Sequence, residues 1–100
     1  MAHRVVQVSY RWVKTAPVAD KVAVEIGKVS DDWLRLNVHV WFLWTTKSPA
    51  EIYNVLRTSI TTDDGVVVAN LDHDTFAHGW APQFVWDWLN EKMGWAKLGL

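Results

Sequence analysis

Between residues 5 and 13 apolar and polar positions alternate. Val6, Val8, Tyr10 and Trp12 fall on one side, and Gln7, Ser9 and Arg11 on the other. A period of two marks a strand with a single apolar side, so this first strand is expected to carry a wet face. After Pro17 the positions Val18, Val22, Ile26 and Val29 recur at helical spacing, but Val22, Val24 and Ile26 fit a strand equally well. Valine pulls toward the strand, and both readings of residues 18–29 stay open. Asp31-Asp32 breaks the pattern. The stretch Trp33 to Thr46 is too long and too aromatic for one edge strand, and it reads as a hairpin turning near Asn37 to His39.

A better-punctuated helix follows at Ser48-Pro49-Ala50-Glu51. Ser48 is placed to accept from the amide of residue 51 while Glu51 reaches back, and Pro49 sits where a missing N–H costs nothing. Ile52, Val55, Leu56, Ser59 and Ile60 then line one face. The turn Asp63-Asp64-Gly65 launches Val66 to Leu71, whose apolar start predicts a buried strand. From Pro82 the pairs Phe84 with Trp88, Val85 with Leu89 and Leu89 with Met93 lie four apart, predicting a helix that ends before Gly94. Trp86 lies off that stripe and is a candidate for a contact outside the core.

The order strand, helix, hairpin, helix, strand, terminal helix predicts one α+β domain over residues 1–100. The expected architecture is a ferredoxin-like βαββαβ antiparallel sheet with helices on one face plus a C-terminal helix. If residues 18–29 were strand, a meander followed by helix, strand and helix would replace it.

Composition changes this picture in two ways. Eight tryptophans are expected to outweigh the leucine and isoleucine of the core, since each buries about 150–250 Å² or serves as an interface anchor. Ten Lys and Arg against eleven Asp and Glu leave no basic footprint, which argues against tight phosphate binding. There is no run of eighteen apolar residues and no signal-peptide pattern, so the expectation is a cytoplasmic protein without membrane contact. Cysteine is absent, which removes disulfides, thiol nucleophiles and thiolate metal sites.

Val8-Ser9-Tyr10 on the first strand, the Trp33 to Trp41 spacing leading into a Trp-x-x-x-Thr strand, the Ser-x-x-Glu helix start and the Asp-Asp turn before a valine-rich strand are distinctive together. In these features residues 5–71 resemble the small SinR-like proteins, relatives of VapD and of the small CRISPR-adaptation nuclease-fold proteins. The resemblance implies a ferredoxin-like fold, homodimers formed through the sheets and, in several relatives, metal-dependent nuclease or toxin activity. In those relatives the first strand ends in an aspartate that is the proposed metal ligand. Here the matching position is Arg11, which offers no acceptor and carries a permanent charge. The nuclease activity therefore does not carry over.

The densest polar cluster is Asp72-His73-Asp74 with His78. Imidazole and carboxylate are suitable ligands for a divalent ion, although Asp and His also suit a solvated loop. His39 reads as a turn histidine. Trp41 and Trp44 must face opposite sides of their strand, so one enters the core and the other joins Gln7, Ser9, Arg11 and Arg35. A polar sheet face around a tryptophan stacks single-stranded bases or closes a dimer. The near-neutral charge favours the dimer. The expected interface is Gln7, Ser9, Arg11, Trp33, Arg35, Trp41, Trp44 and Trp86, in a non-enzymatic homodimeric module that needs no cofactor and binds a protein partner.

Overall fold

In a computed structural model, residues 2–13, 19–71 and 81–94 are described, and they form four strands and three α-helices. In chain order these are β1 (Arg4–Arg11), α1 (Ala19–Lys28), β2 (Asp32–Arg35), β3 (Val40–Thr45), α2 (Pro49–Leu56), β4 (Gly65–Asn70) and α3 (Gln83–Met93). The strands make one antiparallel sheet in the order β2-β3-β1-β4. β1 and β2 consequently run the same way around β3, and β3 and β4 run the same way around β1. The class is α+β.

Burial settles the open reading of residues 18–29 over its described part, 19–29. Val22, Ile26 and Val29 are buried, whereas Val24 is 61% exposed. A strand would have put Val24 in phase with Val22 and Ile26; only a period near 3.6 separates it from them. The hairpin turns where expected. The Asn37 side chain closes it by accepting from the amides of His39 and Val40 at 2.7 and 2.9 Å.

At α2 the reciprocal cap is complete: the Glu51 amide donates to Ser48 Oγ and the Ser48 amide donates to Glu51 Oε1, both at 3.2 Å. Two donors that the first turn would leave without partners are thereby satisfied. α3 ends at Gly94, whose φ of 76° is left-handed. Glycine adopts that conformation without a Cβ penalty.

The register assigns the sheet residues to two faces. Val6, Val8 and Tyr10 share a face with Leu43 and Trp41 of β3 and with Val68 and Val66 of β4. They pack with Val22, Ile26 and Val29 and with Ile52 and Leu56, so α1 and α2 cover this side. Thr45, the one buried polar residue among those described, donates to the Val29 carbonyl at 2.7 Å.

The other face carries a second core, in which Val5 and Phe42 meet Val85, Leu89 and Met93 of α3. The expectation of a wet face on β1 is corrected here. Val5 lies in phase with Gln7, Ser9 and Arg11 but is fully buried, because α3 shields that end of the strand.

Candidate functional site

α3 is fixed to the sheet at one corner. Asp32, at the start of β2, accepts from Trp88 Nε1 at 3.1 Å and pairs with Lys92 Nζ at 3.2 Å, while its other oxygen accepts from the Trp33 amide. Desolvation pushes the Asp32 carboxyl up, but these hydrogen bonds and the Lys92 charge outweigh it and leave the pKa below the ordinary value. The Lys92 ammonium also lies 5.5 Å from the ring centre of Trp44 and 5.8 Å from that of Trp88, a cation–π arrangement. His3 stacks on Trp44 with ring centres 5.0 Å apart.

This clasp holds the helix over Val5, Phe42 and Trp44. The far half of the same face is different. Gln7 and Ser9 are half-buried and joined by a 3.2 Å hydrogen bond, Arg11 is exposed, and beside them on β4 Val67 is 67% exposed and Ala69 is exposed. Arg11 donates to the Asp63 carbonyl at 3.2 Å. Asp64 accepts from the amides of Val13 and Thr61, and these bonds hold its carboxyl below the usual range. The edge of the open half is therefore anchored by hydrogen bonds from β1 to the turn before β4.

The eight residues expected at one interface divide between the two faces. Gln7, Ser9, Arg11 and Trp44 lie on the α3 side of the sheet, whereas Trp33, Arg35 and Trp41 are in phase with the opposite side. Trp41 is only 1% exposed and belongs to the first core, so it is corrected from interface to core. Trp33 remains 39% exposed and tilts against Trp41 with ring centres 5.2 Å apart. Trp44, under α3, and Trp86, on α3 itself, are half-buried and pack against the second core. Of the expected set, Gln7, Ser9 and Arg11 stay together on the open half. The expectation of a buried strand from Val66 is corrected: no residue of β4 is fully buried, and Val67 and Ala69, alternating with the half-buried Val66 and Val68, face outward.

Asp72, His73, Asp74 and His78 lie outside the described residues. Among the described residues no three His, Asp or Glu side chains converge as metal ligands would, and no helix is long and apolar enough to cross a membrane.

A cleft of about 510 Å³ opens on the first face, between the end of β1, α1 and the turn at Ser59. Its wall is aromatic: Tyr10 and Trp12 stack with ring centres 4.5 Å apart and planes 12° from parallel. Trp12 Nε1 donates to the Val38 carbonyl at 2.8 Å, and the Tyr10 amide donates to the His39 carbonyl at 2.6 Å, so the hairpin turn supports both residues. Val22 and Val24 add apolar surface, and Lys21 and Glu25 add opposite charges. Burial first, and the Glu25 carboxylate second, push the Tyr10 phenol up to about 12.

The chain matches no family model, no curated protein and no solved structure.

Proposed function

We propose that this domain is a non-enzymatic interaction module that pairs with a second copy of itself through the open half of its second sheet face and, in that form, binds a protein partner. One observation carries the reading: α3 shields Val5 and Phe42 but leaves Val67 67% exposed, with Ala69 exposed beside it, on the same face. Apolar side chains on a sheet face gain by burial against a second copy, and Gln7 and Ser9 beside them already share one hydrogen bond. A two-fold axis through this patch would set Val67 and Ala69 against their own copies.

The strand–helix–strand units β1-α1-β2 and β3-α2-β4, each enclosing a strand of the other, support a ferredoxin-like description with α3 added on the second face. With it goes the resemblance to the SinR-like proteins and a cytoplasmic defence, counter-defence or toxin–antitoxin setting. Arg11 keeps a fixed positive charge at the end of β1, where the resembling nucleases hold a carboxylate.

Light scattering at micromolar concentration should return twice the chain mass, and purified protein with magnesium or manganese should leave RNA and DNA intact. A monomer would sink the dimer. Cleavage that disappears in Asp72→Ala or Asp74→Ala would replace the whole reading with a metal-dependent nuclease.

A further inference from the structure

The sheet has two outer edges, and only one of them is guarded. β2 is four residues long and carries Asp32 and Arg35, the short, charged build that keeps an edge strand from pairing with a foreign chain. β4 is six residues long, with no charged side chain and no proline. Its hydrogen-bonding phase follows from the register. The Leu71 amide donates to the Val5 carbonyl at 2.9 Å, and two-residue steps along the same register make Gln7 with Ala69 and Ser9 with Val67 the pairs that exchange bonds. Val66, Val68 and Asn70 therefore turn their N–H and C=O groups away from β1, and among the described residues no strand pairs with that side. Such a row of donors and acceptors, repeating every second residue, matches an extended backbone.

Two further features say what fits there. On the second face Val67 is 67% exposed and Ala69 is exposed, so an added strand gains by setting β-branched or small apolar side chains beside them. The other feature is charge at the Gly65 end. Asp64 is committed to the amides of Val13 and Thr61, and Arg11 bonds the Asp63 carbonyl rather than its carboxylate. That exposed carboxylate has no hydrogen bond or ion pair among the described residues. A cation on the incoming chain complements it.

We propose that β4 accepts a fifth strand from the protein partner: an extended segment running antiparallel to it, with β-branched or small apolar side chains next to Val67 and Ala69 and a lysine or arginine at its C-terminal end, beside Asp63. The inference deepens the proposed partner binding and rests on that reading. The second copy is assigned to the open half of the face, which leaves this edge to a different chain. Main-chain bonds supply the affinity, and alternate side chains supply the selectivity.

Fluorescence anisotropy at low ionic strength, with a labelled, capped peptide of alternating threonine and valine that ends in two lysines, tests this. The expected result is saturable binding of one peptide per chain. With the valines on the open face, the threonine amides point to β4, so N-methylation of the threonines should abolish binding, and N-methylation of the valines should change it by less than about two-fold. These peptides probe the native protein and need no variant. Asn70→Pro, at an exposed end of β4 where the amide has no bond to β1, should weaken binding about five-fold or more, and Asp63→Lys should weaken it about five-fold. The proposal is overturned by the absence of saturable binding, by equal effects of the two methylations, by affinities that neither substitution moves, or by loss of the dimer in Asn70→Pro, which would make a second copy the occupant. Binding to a chain that light scattering finds monomeric would refute the proposed dimer and leave the fifth strand standing. A dimer that takes no peptide would do the reverse.

Discussion

Trp88 Nε1 donates to Asp32 Oδ2 at 3.1 Å, tying the middle of the last helix to the start of an edge strand. Lys92, one turn further along the helix, pairs with the same oxygen at 3.2 Å. These contacts decide how α3 lies on the sheet, and hence which half of the second face stays open. The clasp should respond to acid. Its carboxyl is held below the ordinary value of 3.8 in the folded state, so its stabilising contribution is fully present above that value and is lost as pH falls through the folded pKa. Urea midpoints measured from about pH 5 down to about pH 2 should fall more steeply in the native protein than in Asp32→Asn. Parallel curves would show that Asp32 does not tie α3 down.

The cap of α2 offers a cleaner measurement. Ser48→Ala removes the acceptor for the Glu51 amide, and the denaturation midpoint should drop by the equivalent of about 1 kcal/mol. Oligomeric state should not change, since α2 lies on the opposite face from the proposed interface. An unchanged midpoint would mean that the capping bond contributes nothing.

Trp41 carries a buried indole N–H without a hydrogen-bond partner. Trp41→Phe loses contact area but also removes a donor whose burial is costly, so the two effects oppose each other. The net loss should stay below about 2 kcal/mol, whereas Trp41→Ala should cost about 3–5 kcal/mol. Chemical denaturation of the two variants checks this. Equal losses would contradict the unsatisfied donor.

Val67 separates folding from association. At 67% exposure its replacement by lysine should change stability by less than about 0.5 kcal/mol. Light scattering should nevertheless show Val67→Lys shifted to monomer, because pairing would place two like charges across the axis and bury them. A variant that unfolds, or that keeps the association of the native chain, would speak against the open half as the interface.

The sequence was most informative where structure is set locally. Ser48 and Glu51 show their cap through a three-residue spacing, and the opposite orientations of Trp41 and Trp44 follow from strand geometry alone. Residues 18–29 stayed ambiguous because valine at 22 and 24 satisfies both periods, and only the exposure of Val24 separates them. The second core was hidden for a different reason. Gln7, Ser9 and Arg11 make one side of β1 look solvated, and the contrary signal lay in Val5 and Phe42, which share that side. Grouping Trp33, Arg35 and Trp41 with Gln7 failed because face assignment depends on the β1–β3 and β2–β3 registers, pairings that no local pattern specifies. The cleft joins Tyr10 to Ser59 across the fold and has no sequence signature.

The central claim is that the half-face around Gln7 and Ser9 meets its own copy, and cross-linking at single cysteines tests it most directly. The chain contains no cysteine, so Ser9→Cys places one thiol on the open half and Asn54→Cys places one on α2, at the other side of the sheet. With a short bismaleimide at micromolar protein, Ser9→Cys should convert to covalent dimer while Asn54→Cys remains monomeric on a denaturing gel. Absence of cross-linked dimer in Ser9→Cys, or equal yields from the two positions, would contradict the account.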